Sequence, residues 1–188
     1  MSRLPMLNTR ESVPGEALPA FDAIAARRGA VSAPISLLMH APEAAQRATQ
    51  FGTYLRFESS LPGDVLELTI ITAARAFDCA FVWAAHVPAA LREGVPQDVV
   101  DVVGSGAATS ALPPRYAATV DFGRALVGRH QVSQETFDAV RAHFGARGLT
   151  EMTALIGYYL LMACTLIAND VQVPEGRTGF PERTGSGV

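Results

Sequence analysis

Apolar positions recur with helical spacing most clearly in residues 61–95, and this pattern breaks once, near Phe77 and Asp78. Before the break, apolar side chains stand three or four residues apart, as Leu66 and Ile70 do. Alanine and leucine, which have high helix propensity, fill much of the segment on both sides. The pattern predicts two consecutive helices joined by a short turn.

Start signals are present before both predicted helices. Asp64 is a candidate N-cap for the first helix, and Glu67 three residues later has the spacing of a capping box. Asp78 is a candidate N-cap for the second helix, which is predicted to run from Cys79 to Glu93.

The rest of the chain also favours helices, because no alternation of the β type extends over any length. Further helices are predicted over residues 17–28, 42–58, 96–104, 115–130 and 133–145, and through the apolar run 152–168. We therefore expect an all-α fold. Residues 1–18, where prolines interrupt the pattern, are predicted to form an N-terminal arm, residues 19–174 a single helical domain, and residues 175–188 a flexible C-terminal tail.

A weak internal repeat relates two helical segments of the domain. Glu151 follows Glu67 by 84 residues, and the residues around the two glutamates are similar. At the same offset, alanine and aspartate stand in the places of Cys79 and His86. Residues 145–170 are therefore predicted to be a helical pseudo-repeat that lacks the thiol and the imidazole.

Composition narrows the function classes. Hydrophobic residues make up 49% of the 188 residues and charged residues 18%, so we expect much of the surface to be buried, in part against other subunits. A net charge of −3 without a basic cluster argues against nucleic acid as the main partner. Two cysteines make no disulfide framework, and the N-terminus lacks the apolar core of a signal peptide, so a cytoplasmic location is expected. The apolar run 152–168 is slightly short for a membrane span and is expected to be buried instead.

Three reactive side chains lie in the segment 61–95. On a helix that begins at Cys79, the residues Cys79, Val82, Trp83 and His86 share one face. Glu67, from the preceding helix, is expected to fold back toward His86. A carboxylate, an imidazole and a thiol at a helix start favour a proton-transfer site. The alternative is structural, with a small buried thiol and a hydrogen-bonded core histidine.

Four further residues are candidates for substrate binding beside this site. They are His40, Tyr54, Arg56 and Arg75. An anionic substrate favours an arginine, because the planar guanidinium matches a carboxylate. The alternatives are a helix-end histidine, a solvated Arg56, and an Arg75 that pairs with a nearby carboxylate such as Asp78.

The spacing Glu67, eleven residues, Cys79, six residues, His86 resembles the signature of the carboxymuconolactone decarboxylase and alkylhydroperoxidase D-like superfamily. Peroxidatic members have glutamate, eleven residues, then Cys-x-x-Cys-x-x-x-His. Val82 stands here at the second cysteine position, and the other cysteine, Cys164, is distant along the chain. The string from Trp83 to His86 is similar to the decarboxylase-like branch, and the resemblance covers roughly residues 21–174.

The resemblance implies an alkylhydroperoxidase D-like helical bundle that assembles into homo-oligomers, either trimers or hexamers. It implies first a decarboxylase-like enzyme for a small anionic lactone or related carboxylate, with His86 as acid or base, Glu67 orienting it, and Cys79 and Trp83 shaping the wall. The second hypothesis is a thiol-dependent peroxidase that uses Cys79, and the third is a non-catalytic member that binds a small ligand or a partner. No cofactor is expected, and no metal site, since one histidine and two distant cysteines do not form a zinc site.

Overall fold

The computed structural model of the protein describes residues 2–182. These residues form helices and contain no strand, which confirms the predicted all-α fold. The helices are α1 (Leu18–Arg28), α2 (Ala33–Leu38), α3 (Pro42–Phe57), α4 (Gly63–Ala76), α5 (Ala80–Arg92), α6 (Gln97–Ser105), α7 (Pro114–Arg124) and α8 (Gln134–Ala168). Two 3-10 turns, Arg10–Ser12 and Gly15–Ala17, precede α1, and a π turn, Ala125–Arg129, follows α7.

The chain divides into two compact units. The first unit contains the chain up to Glu58 together with Leu161–Gln172. The second contains Ser59–Leu160 and the chain from Val173 onward, so the division falls within α8.

In the first unit, α1 and α2 both pack against α3. Two contacts fix the N-terminal arm to this unit. Arg10 forms an ion pair with Asp22 of α1 at 3.0 Å, and the backbone N–H of Leu7 donates to the Ser36 carbonyl of α2 at 3.3 Å. The arm therefore lies along the first two helices.

In the second unit, α4 is the central helix and packs against α5, α6 and α7. Residues 65–75 of α4 are all buried, as expected for a helix covered on several sides. Gly123 allows α7 to come close to α4, because a Cβ at this position would lie 2.7 Å from the Thr72 methyl carbon. A larger residue than glycine would push these two helices apart.

The turn between α4 and α5 positions the second of these helices. Asp78 has a left-handed backbone, with φ of 52°, and accepts a hydrogen bond from Arg75 at 3.1 Å. The Cys79 N–H donates to the Ala74 carbonyl at 2.8 Å, and Cys79, not Asp78, is the N-cap of α5. The predicted break is therefore confirmed, and the predicted cap is wrong by one residue.

The capping box predicted at the start of α4 is also wrong. Pro62 is the N-cap, and Asp64 lies inside the first turn, where its carboxylate accepts hydrogen bonds from Tyr116 and Arg115 of α7. Glu67 does not cap the helix, because its side chain reaches the neighbouring helix α5.

Helix α8 combines the last two predicted helices. Ser133 caps its start, as predicted, by accepting a hydrogen bond from the Thr136 N–H at 3.1 Å. Gly145, with φ of 68°, kinks the helix at the predicted boundary between the two. Among the described helices, α8 alone is long and apolar enough to cross a bilayer, and half of its apolar window is buried.

Candidate functional site

Glu67 and His86 form a buried hydrogen-bonded pair in the second unit. Glu67 projects from α4, and its Oε2 lies 2.8 Å from Nδ1 of His86 on α5. The side chain of Glu67 is 5% exposed and that of His86 16%. Since a carboxylate accepts hydrogen bonds, Nδ1 carries the proton in this pair. The expected approach of Glu67 to His86 is confirmed, while their catalytic roles stay predictions.

The remaining ring nitrogen of His86, Nε2, is on the side that Glu67 does not use. The imidazole packs edge-to-face against the ring of Tyr159, with centroids 5.0 Å apart and an interplanar angle of 86°. Tyr158 packs edge-to-face against Tyr159 in turn, at 5.5 Å. The carboxylate and the aromatic ring together fix the orientation of the imidazole, which a proton-transfer group requires.

Cys79 begins the helix that carries His86. It is 2% exposed, and its carbonyl accepts the N–H of Trp83 at 3.2 Å. Helix starts favour negative charge, so the position suits a thiolate better than a mid-helix position would. Both cysteines are among the described residues and neither forms a disulfide; Cys164 is exposed and belongs to the first unit.

Phe180, a residue of the C-terminal tail, contacts both Trp83 and Arg75. The Phe180 ring lies 5.6 Å from the Trp83 ring, and the Arg75 guanidinium stands over the Phe180 ring at 4.4 Å. Arg75 also donates to the Gly104 carbonyl at 2.7 Å and to Asp78 at 3.1 Å. Arg75 therefore pairs with Asp78, as the structural alternative predicts, and its role in substrate binding stays a prediction.

The described part of the tail lies along α5 and α6. Arg177 donates to the Ala84 carbonyl at 3.3 Å, and a Cβ at Gly104 would lie 2.6 Å from Pro181 and 3.1 Å from the Trp83 ring. Between the tail and these helices is a cavity of about 360 Å³, lined by Trp83, Val87, Val100, Asp101 and Arg177 among others. The predicted flexible tail, residues 175–188, also includes 183–188, which lie outside the described residues.

Three of the predicted binding residues belong to the first unit. His40 is exposed and its Nε2 donates to the Pro5 carbonyl at 2.9 Å. Arg56 lies over the exposed Phe57 ring at 5.9 Å, and Tyr54 is partly exposed on the same helix. Their predicted roles in substrate binding stay predictions.

Burial shifts the pKa values of two titratable groups of α7, Tyr116 and Arg124. Burial raises the pKa of the Tyr116 hydroxyl above its usual value, and its hydrogen bond to Asp64 adds to the shift. Burial also lowers the pKa of Arg124, which donates to the carbonyls of Ala107 and Val102. Within residues 2–182, no group of three or more histidine, cysteine, aspartate or glutamate side chains is placed to hold a metal ion.

Comparison with solved structures identifies the fold. The chain is similar to an uncharacterized peroxidase-related protein with an alkylhydroperoxidase AhpD core from Ralstonia eutropha JMP134, at 19% identity, a TM-score of 0.73 and 93% coverage of both chains. It is also similar to the debrominase Bmp8 in complex with 2,3,4-tribromopyrrole, at 15% identity and a TM-score of 0.73, with 93% and 95% coverage of this and the other chain. An uncharacterized peroxidase-related protein from Silicibacter sp. TM1040 gives 15% identity, a TM-score of 0.72, and 93% and 92% coverage.

Residues 42–122 match the carboxymuconolactone decarboxylase family. This segment contains Glu67, Cys79 and His86. The family match over residues 42–122 and the fold together confirm the predicted resemblance to the carboxymuconolactone decarboxylase-like and alkylhydroperoxidase D-like superfamily. A search among curated proteins found no match.

Sequence reasoning missed two aromatic residues beside the candidate site. Tyr159 lies in the apolar run 152–168, which is predicted to be buried, and it packs on the His86 ring. Phe180 lies in a segment predicted to be flexible, and it packs on Trp83. The aromatic character of Phe180, in a tail otherwise rich in glycine, proline and polar residues, is the one signal in the sequence.

Proposed function

We propose that the protein is a carboxymuconolactone decarboxylase-like enzyme that transfers a proton to a small carboxylated lactone or a related anionic compound. The observation that carries this proposal is the buried hydrogen bond of 2.8 Å between Glu67 and His86 Nδ1. It leaves Nε2 as the nitrogen that exchanges a proton with the substrate.

The proposed reaction breaks the bond between the substrate carbon and its carboxylate. The electron pair stays on the carbon, where a conjugated carbonyl group delocalises it, and CO2 departs. Protonated His86 then delivers its Nε2 proton to this carbon and becomes neutral, and water restores the proton. Glu67 holds the ring in place and stabilises the imidazolium, as carboxylates do in other histidine-dependent sites.

The structure changes the role that we assign to Arg75. Its guanidinium already contacts Gly104, Asp78 and Phe180. We therefore propose that Arg75 positions the C-terminal tail over Trp83 rather than holding the substrate carboxylate.

The test uses His86→Asn, since the asparagine amide can still donate to Glu67 from the place of Nδ1 but has no Nε2. Decarboxylation of carboxylated lactones is followed in D2O as CO2 release and deuterium incorporation. Turnover should fall about 10²–10⁴-fold in this variant, the usual contribution of a general acid. Cys79→Ser, the matched control, should retain most of the activity. Equal turnover by His86→Asn and wild type would contradict the proposal.

A second candidate is thiol chemistry at Cys79, favoured by its position at the start of α5 and by the peroxidase-related and debrominase proteins that share this fold. In a peroxidase reaction, the Cys79 thiolate would attack the peroxide, giving an alcohol and a sulfenic acid. An external thiol would then reduce the sulfenic acid through a mixed disulfide, because Val82 provides no second cysteine.

The same two variants separate this candidate from the first. Peroxide reduction with an external thiol should be abolished in Cys79→Ser, and alkylation of Cys79 should accelerate with rising pH as the thiolate forms. A thiol that resists alkylation in the native protein would contradict thiol chemistry. Wild-type protein without turnover of either substrate class would favour the non-catalytic hypothesis.

We further propose that the protein is a cytoplasmic homo-oligomer, a trimer or hexamer, without nucleic acid or membrane partners. Large apolar side chains on the first unit support an oligomer: Phe57 is 68% exposed, Ile167 49%, Phe51 46% and Leu161 45%. Light scattering coupled to gel filtration should give three or six times the mass of the 19.9 kDa chain. A monomer at micromolar concentration would contradict this proposal.

A further inference from the structure

Two buried threonines depart from the usual behaviour of threonine in this protein. Most helical threonines here donate their hydroxyl to the carbonyl four residues earlier, as Thr53, Thr69, Thr119, Thr150, Thr153 and Thr165 do. The buried hydroxyls of Thr49 and Thr72 have no hydrogen-bond partner among the described residues. A buried hydroxyl without a partner costs free energy, so each exception requires an explanation.

Packing explains Thr72, because its methyl group fills the space beside Gly123 and so fixes the rotamer of the side chain. It does not explain Thr49, which is 3% exposed on α3 and lines a cavity of about 270 Å³ in the first unit. Rotation about its Cα–Cβ bond moves the hydroxyl into the place of the methyl group while the methyl group takes the place of the Cβ hydrogen, and threonine in helices populates two rotamers. A ligand in the cavity can therefore receive a hydrogen bond that the protein itself does not use.

The positively charged side chain of Arg28 also lines the cavity. Arg28, at the end of α1, donates from Nε to the Thr53 hydroxyl at 3.2 Å and from Nη2 to the Thr49 carbonyl at 3.3 Å. These contacts fix the plane of the guanidinium and use two of its five N–H groups. The other N–H groups remain for an anion, and the fixed plane reduces the entropy lost on binding.

The remaining walls define the shape of the ligand. Ile24 and Ile35 provide an apolar surface, and the Ser32 hydroxyl, which makes no capping hydrogen bond, lies at the exposed edge. A volume of about 270 Å³ is slightly below the usual range of about 300–1,000 Å³ for ligand pockets, so the ligand is small.

We propose that this cavity binds a short-chain organic carboxylate. Its carboxylate contacts Arg28 and the Thr49 and Ser32 hydroxyls, and its hydrocarbon chain contacts Ile24 and Ile35. The site contains neither Glu67 nor His86, and this proposal does not depend on the proposed reaction.

The test is calorimetric titration of the full chain with butyrate and hexanoate, at constant ionic strength, beside the neutral butyramide and hexanamide. The carboxylates should bind saturably and the amides at least about tenfold more weakly, because hydrogen bonds to a charged group are the stronger ones. Arg28→Gln should weaken carboxylate binding about tenfold or more, and Thr49→Val about threefold or more. Arg27→Gln, which changes an exposed neighbour on the same helix, should leave binding unchanged.

Thr49→Val keeps the shape of the side chain and so guards against loss of folding in the arginine variant. Absence of saturable binding to wild type would overturn the proposal. Equal affinity for acids and amides would also overturn it, because it would indicate an apolar cavity only. So would a carboxylate affinity that is the same in wild type, Thr49→Val and Arg28→Gln.

Discussion

Two buried glutamates, Glu67 and Glu151, stand 84 residues apart, at matching positions of the predicted repeat, and have different partners. Glu67 is hydrogen-bonded to the imidazole of His86, which can gain and lose a proton. Glu151 accepts from the Ser60 N–H at 2.8 Å, from the Ser60 hydroxyl at 2.5 Å and from Arg147 at 2.9 Å. An arginine keeps its charge at every physiological pH, so Glu151 stabilises the fold and does not exchange a proton with its partner. Burial of a carboxylate therefore does not itself indicate a catalytic site; the partner does.

The largest effect that we expect is loss of stability when the structural carboxylate is removed. Glu151→Ala leaves the Ser60 N–H and Arg147 without this acceptor, and should lower the free energy of unfolding by about 2–4 kcal/mol. Urea unfolding measures this value, and Glu135→Ala, on an exposed part of α8, is the control. An unchanged unfolding midpoint in Glu151→Ala would show that the contacts of Glu151 with Ser60 and Arg147 do not stabilise the fold.

The equivalent change at the other carboxylate should affect turnover instead. Glu67→Gln keeps an oxygen that can accept from His86 Nδ1 but removes the charge that stabilises the imidazolium. We expect the free energy of unfolding to stay within about 1 kcal/mol of the wild type while kcat falls about tenfold or more. Unfolding and turnover of the same preparation give both numbers. A large loss of stability with normal turnover would show that Glu67, like Glu151, serves stability and not turnover.

The sequence alone predicted the positions of these two glutamates, but not all of their contacts. The spacing of Glu67, Cys79 and His86 identified the family segment, and the offset of 84 residues identified Glu151. The capping box failed because helix-start spacing cannot show whether a glutamate turns back along its own helix or reaches the next one. Contacts with Tyr159 and Phe180 were not predictable, since they come from distant parts of the chain whose position depends on tertiary packing.

A smaller loss of stability is expected when the contact between the tail and Trp83 is removed. Trp83 lies on α5, the helix that carries His86, the partner of Glu67. Phe180→Ala removes one aromatic contact and one cation–π contact, which together contribute about 1–2 kcal/mol. Because Trp83 is the only tryptophan, its emission should shift to longer wavelength as water reaches the ring. Phe57→Ala, at an exposed phenylalanine, is the control. Unchanged Trp83 emission in Phe180→Ala would show that the tail does not cover this ring in solution.

The smallest effect concerns Asp64, a third carboxylate, one turn before Glu67 on α4. Burial of the Tyr116 hydroxyl, and next its hydrogen bond to Asp64, raise the pKa of Tyr116 in the folded protein. A raised tyrosine pKa means that the folded state holds its proton more tightly, so this contribution to stability is present below about pH 10 and is lost as pH rises through the folded pKa. Ultraviolet titration should show a late ionisation step that Tyr116→Phe removes. An unchanged titration curve above pH 10 in Tyr116→Phe would contradict the shift.

The most direct test of the central claim is nitrogen NMR of His86 in protein labelled with ¹⁵N-histidine. The chain has four histidines, and the signals lost in His86→Asn identify the ring in question. Above the pH at which the imidazole becomes neutral, we predict a protonated Nδ1, donating to Glu67, and an unprotonated Nε2. The opposite tautomer, with the proton on Nε2, would contradict the hydrogen bond and with it the assignment of Nε2 as the nitrogen that exchanges a proton with the substrate.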